Sequence, residues 1–262
     1  MKTPPADTNS AVIRMEAVTL GSLQDPGVVV ADQIDWRVNS GDFWVVAGLQ
    51  GSGKSDFLMM TGGVSAPLAG SYRLFDEEMP IFEDRRLSQR LRLGLVFDGG
   101  QLLNRLTVAE NVALPLRYHH NLSAAAARPE VMRLLEALEL EPWADSTPGA
   151  IGRIWHRRVG LARALALKPE VLLIDNPLGG LDLRQASWWL SFLRQVSCGH
   201  PILDGRPLTL VITTADLRPW ENLARQFAVL RDRRLVVLGS WQQVQSAQAG
   251  LVQELLPLQR SD

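Results

Sequence analysis

The sequence predicts an α/β fold: a mainly parallel sheet, a helical subdomain inserted into it, and a small β region at the N-terminus. Three observations carry that reading. Apolar runs at 42–47, 171–174 and 208–213 have the near-continuous hydrophobicity of strands buried on both faces of a parallel sheet. A glycine-rich loop at 48–55 stands between the first of these runs and a helical segment. From Thr107 to about Ala166 the periodicity is helical, with apolar residues at three- and four-residue spacing.

In chain order, residues 1–10 are polar and proline-containing and read as a disordered leader. Residues 11–20 alternate enough to be a strand, and 21–27 carry turn residues. The strand 42–47 runs into the glycine loop, and a helix begins at Lys54 and is stopped near Gly62-Gly63. A short strand at 91–97 meets the breaker Gly99-Gly100. Helices are expected at 107–119, 123–139 and 154–167. A helix at 184–197 between the strands 171–174 and 208–213 completes a βαβ order. The last segment, 246–262, is expected to be a helical tail.

Bulk properties narrow the function classes. Apolar residues make up 46% and charged residues 21%, the balance of a globular chain. A net charge of −1 supplies no positive field for nucleic acid, so no nucleic-acid partner is expected. The single cysteine, Cys198, excludes an internal disulfide and fits a reducing cytosol. No run approaches the ~18 apolar residues of a membrane span, and the first residues hold no signal-peptide core. Service at a membrane is therefore expected from the cytoplasmic side, through a partner.

Residues Gly48-Leu49-Gln50-Gly51-Ser52-Gly53-Lys54-Ser55 meet the pattern G-x-x-x-x-G-K-[S/T], with a strand before and a helix after. Glycines let backbone N–H groups close around phosphate oxygens, and the helix adds its positive N-terminal end. Lys54 is expected to neutralise β- and γ-phosphates and Ser55 to ligate Mg²⁺, with Asp56 beside them in the site. The chain is thus predicted to be a P-loop NTPase that binds ATP with Mg²⁺.

The neighbours of the loop point further. The stretch GDFWVVAGLQGSGKS resembles the strand and Walker A of ABC transporter ATP-binding subunits. LGLVFDGGQLLNRLTVAENVALPL is similar to their Q-loop and the start of their helical subdomain. RRVGLARALALKPEVLLIDNPLGGLD resembles the helix after their signature, then Walker B and the D-loop. TLVITTAD stands at the switch strand and LRDRRLVVLGS at the closing strands. The resemblance implies an ATP-binding domain over 11–245, with a helical subdomain at about 99–165. The Q-loop region through ENVALPLRYH and the tail GSWQQVQSAQAGLVQELL resemble the Mla-type transporters of lipids or hydrophobic compounds. It also implies a polytopic permease partner holding the chain at the inner face of the cell membrane. A second ABC cassette, as homodimer or heterodimer, is implied too, each ATP being shared between one Walker A and the other subunit's signature.

The departures from the family fall on its catalytic positions. Asp98 stands at the Q-loop glutamine; a carboxylate can still ligate Mg²⁺ but adds negative charge beside the γ-phosphate. The signature aligns with Ile151-Gly152-Arg153-Ile154-Trp155, where Gly152 lacks the serine hydroxyl and Arg153 and Ile154 replace glycines. Asp175 of Walker B is kept for Mg²⁺, but the catalytic glutamate is Asn176 and the switch histidine is Ala215. Asparagine accepts no proton from water, so no catalytic residue is intact and hydrolysis is expected to be weak or absent. The adenine-stacking aromatic is also missing, leaving Leu20 or Leu23 for an apolar contact.

Other features carry less. Arg85, Arg86, Arg90 and Arg92 read as a solvated basic face paired with Glu83 and Asp84. His119-His120 lacks metal-ligand spacing, so Mg²⁺ is the only metal expected. Trp188-Trp189 read as core and subunit contacts. Three functions stay open: a hydrolytic transporter subunit, a degenerate ATP-binding subunit of a transporter, and a soluble ABC-type protein outside transport. The residues favour the second. The third lacks the coiled coils or duplicated cassettes of such proteins.

Overall fold

The computed structural model describes residues 11–25, 27–79, 87–247 and 252–256, so the expected leader lies outside it. In order, the elements are β1 (Ala11–Gly21), β2 (Val29–Asn39), β3 (Phe43–Ala47), α1 (Lys54–Thr61), β4 (Ala69–Leu74), β5 (Glu77–Glu78) and α2 (Leu87–Arg90). Then follow β6 (Leu93–Val96), α3 (Val108–His119), α4 (Ala124–Ala137), α5 (Arg153–Leu165), β7 (Val171–Asp175) and α6 (Leu183–Cys198). The last are β8 (Thr209–Thr214), β9 (Gln226–Arg231), β10 (Arg234–Gly239) and α7 (Trp241–Ser246).

A six-stranded sheet has the order β10-β9-β3-β8-β7-β6, parallel throughout except for the antiparallel edge strand β10. Every residue of β3, β7 and β8 is buried, and their alternation sorts the side chains into two cores. Phe43, Val45, Leu172, Ile174, Leu210 and Ile212 face the α3–α6 side. Trp44, Val46, Leu173 and Val211 face α1 and a second, antiparallel sheet of order β2-β1-β4-β5. Helices on one face and a sheet with a helix on the other explain the unbroken apolar runs.

The small β region is larger than the sequence predicts. β2 was not anticipated, because Gln33 at φ +52° interrupts the alternation that Ile34, Trp36 and Val38 then resume. Most of the expected helical tail lies outside the described residues: α7 ends at Ser246, Val252 is helical, and Gln253–Leu255 form a 3₁₀ turn.

Asn111 knits the segment before α3. It is fully buried, accepts from the N–H of Leu103 (2.8 Å) and donates to the carbonyls of Leu103, Leu106 and Thr107. Thr107 and Glu110 close a capping box at the helix start. Across the helical subdomain runs an aromatic ladder. Trp143 and Trp155 lie 4.0 Å apart, the Arg158 guanidinium sits 4.7 Å from Trp155 and 3.5 Å from Trp188, and Trp188 stacks on Phe192. Trp189 is wholly buried and Trp188 half-buried. Arg92 pairs with Glu170 at 2.7 Å and covers the Phe75 ring; the acids expected beside the basic run are Glu83 and Asp84. Those acids, with Arg85 and Arg86, lie outside the described residues.

Candidate nucleotide site

The C-terminal ends of β3, β6, β7 and β8 open on one side of the parallel sheet, where α/β sheets hold their ligands. The loop after β3 begins with Gly48, whose N–H donates to the Thr214 carbonyl at 3.1 Å. Gly53 has φ +88° and caps α1; a Cβ there would stand 1.9 Å from Val30 Cγ1, so only glycine fits between β2 and the helix start. Lys54 Nζ reaches back to donate to the carbonyls of Gly48 (2.7 Å) and Leu49 (2.8 Å). Burial lowers the Lys54 pKa, and the Asp175 charge opposes that shift.

Asp175 ends β7, nearly buried, with both oxygens engaged. The Ser55 hydroxyl donates to Oδ2 at 2.7 Å and the Thr213 hydroxyl to Oδ1 at 2.5 Å. Asn176 follows at φ +45°, its N–H donating to the carbonyl and hydroxyl of Thr213, each at 3.1 Å. Ser22, Gln24, Val28, Val30 and Gln50 wall a cleft of about 630 Å³ together with Lys54, Ser55, Asp56, Asp98, Asp175, Asn176 and Ala215. One cation, Lys54, thus faces three carboxylates.

The structure brings most of the sequence-derived site residues together and separates the others. Asp56 Oδ1 accepts from the Leu23 N–H at 2.8 Å, so its seen role is to anchor the loop beside the cleft. Leu20 is buried in the core and cannot reach a ligand, which leaves Leu23, 43% exposed. Asp98 lines the cleft while its Oδ1 is held by Arg157 Nε at 3.0 Å and Nη2 at 2.9 Å. Residues 151–155 do not line this cleft. Ile151 is buried, Trp155 folds into the ladder, and Gly152, Arg153 and Ile154 are exposed at the start of α5. A Cβ on Gly152 would meet only ordinary contacts at 3.8–3.9 Å, so the missing serine is not excluded by space.

Two contributors were not singled out from sequence. Thr213 orients both Asp175 and Asn176; a hydroxyl ending an apolar strand was the available signal. Arg157 had no signal at all, since its partners are brought together only by the fold.

The residues present fit a triphosphate with Mg²⁺: glycine N–H groups, a reachable lysine, and hydroxyl and carboxylate oxygens suited to a hard cation. Among the described residues, no group of three or more His, Cys, Asp or Glu is placed to hold a metal by itself.

Comparison with known proteins agrees with this geometry. The family model described as ABC transporter matches residues 31–179. The methionine import ATP-binding protein MetN of Lacticaseibacillus paracasei is 30% identical over 83% of this chain, which spans 60% of MetN. LolD of Psychrobacter arcticus, from a lipoprotein-releasing system, is 30% identical over 87% of this chain and 97% of its own length. MlaF of Escherichia coli, from an intermembrane phospholipid transport system, is 30% identical over 83% of this chain and 79% of its own. Among solved structures, the dimeric ATP-binding cassette MJ0796 bound to ADP and Pi superposes with a TM-score of 0.74 at 26% identity, covering 85% of this chain and 96% of the other. Thirty per cent identity sustained over more than four-fifths of the chain, with the family model matched over residues 31–179, leaves one conclusion: the chain belongs to the ABC transporter ATP-binding family.

Proposed function

We propose that the chain is a MgATP-binding cassette with little or no hydrolysis of its own, serving a transporter of lipids or other hydrophobic compounds. The carrying observation is that Lys54, Ser55 and Asp175 are in place while Asn176 and Ala215 line the same cleft. Residues 48–56 would hold the triphosphate, with Lys54 against its terminal phosphates. Ser55 and Asp175 would hold Mg²⁺, with Asp98 as a further carboxylate. Bound Mg²⁺ supplies charge neutralisation and polarisation of the phosphoryl oxygens. The chain offers no proton acceptor for an attacking water at the glutamate and histidine positions. The Asn176 carboxamide can hold water but not take its proton, Ala215 has no polar group, and both Asp175 oxygens are already engaged.

Phosphate release from MgATP by the purified chain tests the reading. Turnover near background supports it, and cassette-like turnover that Lys54→Ala removes overturns it.

The exposed Gly152, Arg153 and Ile154 lie away from this chain's own cleft, as a signature serving a second cassette in trans would require. Arg153 there is a charge-assisted donor in place of the serine. The cargo class rests on the resemblance of 93–119 and 239–256 to the Mla type, because MetN, LolD and MlaF are equally similar overall.

Among the described residues no helix is long and apolar enough to cross a membrane, so the proposed attachment to the inner face needs a permease. Its contact is assigned to the segment before α3. Leu102 packs partly buried against the core, whereas Leu103 is 52% exposed and backed by Asn111. Leu103→Asp should leave folding nearly unchanged and release the chain from a co-purifying polytopic membrane protein. Undiminished co-purification of that variant would remove this surface from consideration.

A further inference from the structure

Arg157 joins three separate segments at the edge of the cleft. From α5 its Nε and Nη2 hold Asp98, after β6, at 3.0 and 2.9 Å. Its Nη1 donates to the carbonyls of Gly179 (2.7 Å) and Pro177 (3.2 Å) in the turn after β7. The Arg157 side chain is only 15% exposed, so these acceptors take up a donor set largely shielded from water. Arg163 fastens the same helix to the carbonyls of Gly100 and Gln101, both at 2.9 Å. The strand segment carrying Asp98 is therefore gripped twice, while the 177–179 turn depends on Arg157 among the side-chain bonds seen.

That turn positions Asn176. The Gly179 N–H donates to the Asn176 carbonyl at 3.2 Å, and a Cβ on Gly179 would stand 2.2 Å from the Asn176 side-chain nitrogen. The carboxamide thus rests on the Gly179 backbone, whose carbonyl Arg157 holds from the other side.

We propose that Arg157 is a positioning residue of the nucleotide site: its bridge from Asp98 to the 177–179 turn fixes the Asn176 carboxamide and makes both edges of the cleft follow α5. The inference rests on the MgATP-binding reading. Asp98 and Asn176 flank the Ser55–Asp175 pair, where the metal and terminal phosphate belong in that reading, so the bridge should matter more for MgATP than for MgADP. Lysine cannot replace it, because one ammonium does not span a planar three-acceptor arrangement.

The test uses the full chain as wild type, Arg157→Gln and Arg157→Lys. Amide hydrogen exchange over 176–181 is measured, together with the melting-temperature gain given by MgATP and by MgADP. The glutamine variant should exchange the Gly179 and Leu181 amides about tenfold faster or more, through freer local opening. It should also lose most of the extra gain that MgATP shows over MgADP. The lysine variant should fall between. A merely structural loss would lower all melting temperatures without changing the MgATP–MgADP difference. Wild-type exchange and wild-type nucleotide discrimination in the glutamine variant overturn the proposal. If that variant does not fold, protection in the lysine variant equal to wild type overturns it. A wild type that gains nothing from either nucleotide refutes the binding reading instead, and the exchange comparison then judges the bridge alone.

Discussion

Lys54→Ala is expected to abolish almost all of the thermal stabilisation that MgATP gives the chain. A ligand bound only by the folded state at about 100 times its Kd adds about 2.7 kcal/mol, an upward shift of roughly 5–10 °C for a chain of this size. Lys54 is the single cation among the cleft-lining residues, set against Asp56, Asp98 and Asp175. Without it no cleft-lining residue carries a positive charge to meet a polyanion, and the repulsion of the lining carboxylates is no longer offset. The same imbalance predicts strict metal dependence: ATP with a chelator should stabilise the wild type far less than MgATP. The native loop loses two hydrogen bonds from Nζ to Gly48 and Leu49 in the variant, so its nucleotide-free melting temperature is the proper baseline. Differential scanning fluorimetry of both proteins decides it. A wild-type melting curve indifferent to millimolar MgATP would sink the assignment of the loop.

Hydrolysis is the second large effect. A positioned acid–base group contributes typically ~10²–10⁴-fold, and in the function proposed above Asn176 and Ala215 stand at the glutamate and histidine positions, beside an altered signature. Phosphate release by the purified chain should lie at least ~10²-fold below a cassette with those groups intact. Asn176→Glu alone should not restore it, for two separable reasons. Groups that act as a unit are strongly non-additive, so one repair among several losses recovers little. Position 176 also has φ +45°, a conformation asparagine tolerates and glutamate resists at a cost of about 1–3 kcal/mol. The inserted carboxylate would therefore be misaimed or would distort the turn that Arg157 holds. Brisk phosphate release by this single variant, absent in Asn176→Glu/Lys54→Ala, would show that the backbone adapts and that one base suffices.

How far the sequence could be read depended on which residues speak locally. The parallel strands were legible because two-sided burial leaves an uninterrupted apolar run, as at Val171–Asp175. The phosphate loop was legible because its glycines and lysine are fixed by chemistry at fixed spacing. β2 was hidden by a bulge at Gln33 and by its exposed polar face. The burial of Leu20 and Leu102 could not be told from the exposure of Leu23 and Leu103, since neighbouring leucines carry no local mark of which way they turn. Arg157 was invisible for a deeper reason. Its importance is a sum over Asp98, Pro177 and Gly179, positions far apart in the chain that only the closed fold sets around one guanidinium.

The ladder through Trp143, Trp155, Arg158 and Trp188 has an optical meaning. Indole rings 4.0 Å apart and inclined at 38° couple their electronic transitions, so Trp143 and Trp155 share an asymmetric signal in near-ultraviolet circular dichroism. The Arg158 cation 3.5 Å from Trp188 polarises that ring and perturbs its emission. Arg158 belongs to α5 and Trp188 to α6, so this cation–ring contact straddles the two elements. The chain thus carries an unlabelled spectroscopic ruler across α5 and α6, whose band intensities change with any sliding of one helix past the other.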